Sequence, residues 1–324
     1  MEKKRNIWFD NVKVILLILV VFGHVIEQLR FQDRVFLGIY NLIYLFHMPL
    51  FVFCSGAFAK ADGKRIVKKY LIPYGIFQIL FGIFDVYVMG TEEFHFLESY
   101  YVLWYLLALS VWSLLIPLIR TNGNRKKQVV MLGGSVAVGL MAGFIPWIGK
   151  EFSLSRIFVF FPFFLAGFYW QQEGGAQIDS YVPRICCTRF AKFGAAILLV
   201  LAGAAVYACS PRINTWALYG YTSYEFQGYT VTFRFLQYVA AVVLSLLFIR
   251  LVPKEKAIGE NFADKMMPIY LLHVPLIKWI EKFGILDRLH NGAERFAYAL
   301  AATIIIFVVC AGITQVLELA GKDK

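Results

Sequence analysis

The sequence predicts an all-α, polytopic transmembrane helical bundle of about ten spanning helices with both ends in the cytoplasm. Three observations predict it. Of the 324 residues, 60% are hydrophobic and only 16% charged, more apolar surface than a soluble domain of this length can cover with polar side chains. The apolar residues come in runs of about 20, the length needed to cross the hydrocarbon core. The charges between the runs are lopsided: of 32 Lys and Arg, 21 fall in alternate segments counted from the N-terminus and 9 in the others. By the positive-inside rule the richer side is cytoplasmic. The same pattern accounts for the net charge of +11 without a nucleic-acid partner. The lipid bilayer is the partner that composition demands.

The spans fall near 8–29, 35–58, 70–89, 100–119, 129–148, 157–171, 193–209, 233–252, 268–285 and 296–317. Lys3-Lys4-Arg5 ahead of the first run resembles the start of a signal peptide. That run is too long, and no small-residue cleavage site follows, so it stays as the first helix. The third run follows the basic block Lys60–Lys69 and precedes the acidic pair Glu92-Glu93, which falls outside. The run 157–171 is short for a span, and 268–285 carries Lys278, Glu281 and Lys282. The longest external loop, 210–232, is rich in aromatics, among them Trp216, Tyr219, Tyr221, Tyr224 and Tyr229. No repeat or linker divides the chain, so 1–324 reads as one membrane domain with no soluble extracytoplasmic domain. Cys54, Cys186, Cys187, Cys209 and Cys310 lack metal-ligand spacing and read as free thiols, with no metal.

The first run carries the sharpest signal. Asp10, Lys13, Leu17, Val20 and His24 step by three and four residues and form one helical stripe, which Glu27 and Gln28 continue. Lys13 and His24 are eleven residues apart, roughly 16 Å at the helical rise. A cation therefore sits near the cytoplasmic end of the stripe and an imidazole near the external end. Ionisable residues inside spans usually face the bundle interior or a wet cavity. Asp10, Lys13, His24 and Glu27 are therefore catalytic candidates, beside simpler readings in which Lys13 snorkels to the surface, Asp10 starts the helix, and His24 packs through a hydrogen bond.

This pattern resembles the acyltransferase-3 family of membrane proteins, in the branch related to fucose 4-O-acetylases. Most of that family has Arg where this chain has Lys13, and the fucose-acetylase-like branch commonly has Lys. Phe46-His47-Met48-Pro49-Leu50-Phe51 with Ser55-Gly56 is similar to the family's second helix. Lys64-Arg65-Ile66-Val67-Lys68-Lys69 before Leu71-Ile72-Pro73 is similar to its basic cytoplasmic turn. Leu103-Trp104-Tyr105-Leu106, the stretch Phe160 to Phe168 and Ile269-Tyr270-Leu271-Leu272-His273 resemble later segments. The resemblance covers nearly the whole chain.

The resemblance implies an O-acyltransferase, an O-acetyltransferase first of all. The donor co-substrate would be cytoplasmic acetyl-CoA, and the acceptor a hydroxyl of an extracytoplasmic glycan, lipid-linked sugar or other envelope molecule. A phosphate-rich donor head needs fixed cations, which Lys64, Arg65, Lys68 and Lys69 offer, unless they are ordinary positive-inside charge. An extended pantetheine arm is comparable in length to the Lys13–His24 separation. His24 is then the base that takes the acceptor's proton, or a relay that carries the acyl group as an acyl-imidazole. Glu27 orients the ring or is a solvated carboxylate. His47 is a catalytic candidate or satisfies hydrogen bonding near Pro49. Ser55 and Trp104 are candidates for the donor cavity, with the external aromatic belt the simpler reading of Trp104. Asp85, Tyr224, Glu225 and His273 are weaker acceptor-side candidates, His273 reading more simply as a packing residue. Two other readings stay open: an exopolysaccharide exporter or flippase of the same superfamily, and a non-catalytic membrane partner of an envelope enzyme. The sequence leaves homo-oligomerisation open.

Overall fold

Ten principal helices form in a computed structural model of the chain, which describes residues 6–91, 93–172, 189–254 and 265–322, the side chains of 172 and 316–322 excepted. The helices are α1 (Ile7–Val25), α2 (Arg34–Ala57), α3 (Gly63–Met89), α4 (Trp104–Ile119), α5 (Arg125–Met141), α6 (Leu154–Gln172), α7 (Arg189–Cys209), α8 (Val231–Leu251), α9 (Met266–Glu281) and α10 (Gly292–Lys322). Eight are long and apolar enough to cross a membrane, and α4 and α9, with 16 residues each, are shorter. The chain is a multi-pass membrane protein with an all-α bundle. Lys3-Lys4-Arg5, Glu92, Cys186 and Cys187 lie outside the described residues, where Cys54, Cys209 and Cys310 are free thiols.

The ends of the helices differ from the apolar runs for local reasons. α1 stops at Val25, and the chain turns through a short 3-10 turn, Leu29–Phe31, which redirects Glu27 and Arg30. Residues 100–103 are a turn rather than helix, with Tyr101 at φ 48°. The Tyr270 hydroxyl holds this turn by donating to the Val102 carbonyl at 2.9 Å. α3 begins at Gly63, earlier than its apolar run, and has π-helical turns at Val67–Leu71 and Asp85–Met89. Pro73 has no N–H for the carbonyl four residues back, and the first π turn sits at that defect.

α2 is the axis of the bundle: it packs on α1, α6, α7 and α8, while α1 packs also on α9 and α10. α2 and α6 meet through glycine. A Cβ on Gly56 would overlap the Phe164 carbonyl, and one on Gly167 the Phe53 carbonyl, so only hydrogen at both positions lets the backbones approach. α3 and α7 are peripheral. Ile72, Ile76, Ile79 and Ile83 on α3, and Phe190, Phe193 and Leu198 on α7, are exposed and face lipid.

Polar groups inside the bundle are tied to irregular backbone. Gln78 of α3 donates to the carbonyls of His95 and Glu98 at 3.1 and 2.7 Å and accepts from the Tyr100 N–H at 3.2 Å, stapling the 94–100 loop to the bundle. Trp112 donates to Ile157 O at 3.0 Å, and Tyr238 to Val159 O at 2.7 Å. Arg234, fully buried on α8, donates to Gly139 O and Thr222 O at 3.2 Å each and to the Tyr229 hydroxyl, and so anchors the aromatic loop.

Candidate functional site

The stripe on α1 opens into two cavities, one at each end. Near its N-terminal end lies a cavity of about 150 Å³ whose wall includes Lys13, Ser55, Lys69, Tyr70, Met266 and Tyr270. Near its C-terminal end lies a second, of about 310 Å³, lined by Val20, His24, Glu27, Tyr44, His47, Trp104, Arg156, Tyr219, Tyr270 and Lys278 among others. Tyr270 belongs to both. It stands with Phe51 and Tyr105 as a three-ring partition, with centroids 5.5 Å apart for Tyr105–Tyr270, 5.6 Å for Phe51–Tyr105 and 6.4 Å for Phe51–Tyr270. Ser55 and the Tyr105 hydroxyl are hydrogen-bonded to each other beneath it.

At the larger cavity His24 Nδ1 lies 3.3 Å from Glu27 Oε2 and 3.5 Å from the Tyr44 hydroxyl. A carboxylate only accepts, so Nδ1 carries the proton of the neutral ring and Nε2 keeps its lone pair. Glu27 is braced on its other oxygen, where the Tyr219 hydroxyl donates to Oε1 at 2.9 Å. Tyr40 and Tyr219 hydroxyls are 2.5 Å apart. Burial, and then the Glu27 carboxylate, push the Tyr219 hydroxyl well above the usual tyrosine range, so it stays a donor. Arg30, 4% exposed, closes the outer end, its guanidinium 4.4 Å from the Tyr40 ring centroid and 4.9 Å from that of Trp216. The result is an imidazole held by a carboxylate held by a phenol, the arrangement a general base requires.

His47 lines the same cavity. Its Nδ1 donates to the Ile43 carbonyl at 2.7 Å, the residue four back, and not to the Leu45 carbonyl that Pro49 leaves free. His273 is fully buried behind His24, ring centroids 5.2 Å apart, with Nδ1 donating to Ile269 O at 3.1 Å. It does not line the cavity, so the acceptor-side reading of His273 gives way to a packing position against His24.

The other sequence candidates separate. Lys13 faces the smaller cavity, its Nζ 4.1 Å from the Phe58 ring centroid, at the opposite end of α1 from His24 as their spacing predicts. Asp10 occupies the first helical turn, a helix-start position about 21 Å along the axis from His24. Of the basic turn, Lys69 reaches the smaller cavity, Lys64 and Lys68 are exposed, and Arg65 is half-buried. Trp104 is buried in the cavity wall, not in a lipid-facing belt, because α4 begins there under the 100–103 turn. Asp85 accepts a hydrogen bond from Tyr101 beside the cavity. Tyr224 is turned away from it: its hydroxyl donates to Leu140 O at 2.6 Å and its ring lies 4.8 Å from the Arg234 guanidinium, a structural prop. Glu225 lines a separate external groove with Lys150 and Glu151.

Sequence reasoning missed Tyr40, Tyr44 and Arg156, and named Tyr219 only within the aromatic loop and Tyr270 only within the 269–273 segment. Arg156 had one signal, a cation at the head of the apolar run that leads into Phe160–Phe168. Tyr40 and Tyr44 had none, since aromatic residues fill every span.

Comparison with known proteins agrees with this architecture. Residues 6–315 match the family described as an acyltransferase domain. Two curated relatives are both called nodulation protein NolL. The one from Sinorhizobium fredii is 28% identical over 223 residues, 61% of this chain and 57% of the relative. The one from Mesorhizobium japonicum is 36% identical over 80 residues, 21% of each chain. The aligned region thus spans just over half of the first relative's length and about a fifth of the second's. No solved structure matches the chain.

Proposed function

The chain belongs to the acyltransferase-3 family and is a membrane acyltransferase, and from that premise we propose that it moves an acetyl group from cytoplasmic acetyl-CoA to a hydroxyl of an extracytoplasmic glycan or related envelope acceptor in the cell membrane. The observation that carries the reading is the pair of cavities on one stripe of α1, cationic at one end and imidazole-bearing at the other, meeting at Tyr270. The charge bias assigns the Lys13 end to the cytoplasm. Lys13 and Lys69 then receive donor phosphates, helped by the charge of the basic turn. The pantetheine arm passes the Phe51–Tyr105–Tyr270 rings and brings the thioester into the larger cavity.

There His24 takes the acceptor hydroxyl's proton on Nε2 while Glu27 stabilises the ring as it gains charge. Tyr219 and Tyr40 keep Glu27 in place. His47, with Nδ1 committed to Ile43 O, offers a lone pair on Nε2 to a substrate hydroxyl.

The test is acetyl-CoA binding and turnover by detergent-purified protein, wild type beside His24→Ala. Expected are slow hydrolysis by wild type and retained binding with lost turnover in the variant. Turnover by purified His24→Ala overturns the assignment of the base. No acetyl-CoA affinity in wild type overturns the donor assignment and moves the question to glycan export.

A further inference from the structure

Resting on that acyl-transfer reading, we propose that Arg156 is a catalytic residue that binds the acyl carbonyl oxygen and takes up the negative charge that forms on it. The guanidinium lies in the wall of the cavity that His24 also lines. It is held from several sides. Nε donates to the Tyr219 carbonyl at 3.3 Å, and the neighbouring Ser155 hydroxyl donates to Gly220 O at 2.9 Å, so the head of α6 is tied to the loop that braces Glu27. Its centre is 5.0 Å from the Trp104 ring centroid and 5.3 Å from that of Tyr221. Nε is the one donor these contacts use, and they leave the terminal N–H groups without a protein acceptor among the described residues.

The contrast with the other cations is what makes Arg156 informative. Lys278, on the same cavity, is 3.3 Å from Glu281. Arg234 spends its donors on two carbonyls and a phenol. Arg30 is enclosed by rings, with the Glu27 carboxylate close enough to feel its charge. Among the described residues the ion pairs are His24–Glu27, Lys278–Glu281 and Arg295–Asp33, and Arg156 is in none of them. A guanidinium in a cavity wall whose one carboxylate, Glu27, is engaged by His24 and Tyr219 is costly unless the charge it serves arrives with the substrate or forms during reaction.

Acyl transfer forms such a charge. The acceptor oxygen bonds to the thioester carbonyl carbon, its proton passes to His24 Nε2, and the carbonyl π pair moves onto the oxygen. Arg156 donates to that oxyanion. The pair then returns, the carbon–sulfur bond breaks, and the thiolate leaves with the proton from His24. Donors fixed beforehand stabilise this charge without reorganising, which is where acyl transfer gains most. The planar fork of arginine, anchored through Nε and flanked by two rings, suits the role better than a flexible ammonium.

The experiment is acetyl-CoA hydrolysis, with water as acceptor, by purified full-length wild type, Arg156→Gln, Arg156→Lys and Arg156→Ala. Expected is a fall of about 100-fold in kcat for Arg156→Gln, with acetyl-CoA affinity kept. Arg156→Lys recovers only part of the rate, and added guanidinium ion restores hydrolysis to Arg156→Ala but not to His24→Ala. Where the Gln or Ala variant does not fold, Arg156→Lys carries the test through its kcat at unchanged donor affinity. Unchanged hydrolysis in active, folded Arg156→Gln overturns the assignment. So does an unchanged kcat with weakened acetyl-CoA affinity, which makes Arg156 a donor-binding residue instead. A wild type that neither binds nor hydrolyses acetyl-CoA refutes the acyl-transfer reading itself, and the assignment falls with it.

Discussion

Replacing Tyr219 by phenylalanine removes one oxygen atom and tests whether the external loop builds the site or merely covers it. In wild type that hydroxyl donates to Glu27 Oε1 at 2.9 Å and sits 2.5 Å from the Tyr40 hydroxyl. The ring keeps its edge contacts with Tyr44 and Tyr221, centroids 5.4 and 5.6 Å away, and the Tyr219 carbonyl still accepts from Arg156. The fold is therefore expected to survive. What is lost is a hydrogen bond to a charged acceptor, worth about 2 kcal/mol. If that energy holds Glu27 where it serves His24, its loss lowers kcat by about 30-fold. Because burial and the Glu27 carboxylate hold the phenol protonated, the defect is expected to be the same from about pH 6 to pH 9. The assay is acetyl-CoA turnover in detergent, with donor affinity measured separately by equilibrium binding. A kcat within about twofold of wild type, or a change only in donor affinity, refutes the argument that Tyr219 positions the base.

Three further outcomes follow from the packing. Gly56→Ala and Gly167→Ala each place a methyl on an opposing backbone carbonyl and should cost about 2 kcal/mol or more, read as thermal denaturation in detergent, whereas Gly133→Ala meets nothing within 4 Å and should be neutral or stabilising. Arg234→Ala should destabilise by about 3 kcal/mol in the same assay, since it strips buried acceptors at Gly139 and Thr222 and frees the aromatic loop. Lys13→Met should weaken acetyl-CoA affinity about tenfold and leave hydrolysis at saturating donor near wild type, because Lys13 lies in the cavity away from His24.

Much of the site was legible along α1. Lys13, His24 and Glu27 share a stripe because 3.6 residues make a turn, and a membrane helix turns its ionisable face inward. Glu27 needed one more fact, since a residue beyond the end of a span reads equally as solvated. The structure settles its contacts through Tyr219, 192 residues away in sequence. Trp104 and Tyr224 show the opposite failure. Both are aromatic residues near an external face, read in sequence as a belt residue in one case and an acceptor-side candidate in the other. Their places depend on a turn at 100–103 and on the buried Arg234, neither of which has a periodic signature. His273 looked like His47 in sequence, both in apolar runs with proline two residues on. Helix rotation alone separates them, one into the cavity wall and one behind His24.

The sequence by itself determined the class of molecule, the ten helical segments, the charge bias and the stripe that carries Lys13 and His24. These follow from hydropathy and helical periodicity, which are properties of short stretches of chain. Tertiary structure alone decided that the stripe opens into two cavities divided by Phe51, Tyr105 and Tyr270, that a loop tyrosine braces Glu27, and that Arg156 faces His24's cavity with no carboxylate of its own. Those features join residues from α1, α2, α4, α6, α9 and the loop before α8. In lipid there is no bulk hydrophobic gradient between helices to dictate their rotation, so close glycine contacts and hydrogen bonds to irregular backbone set it.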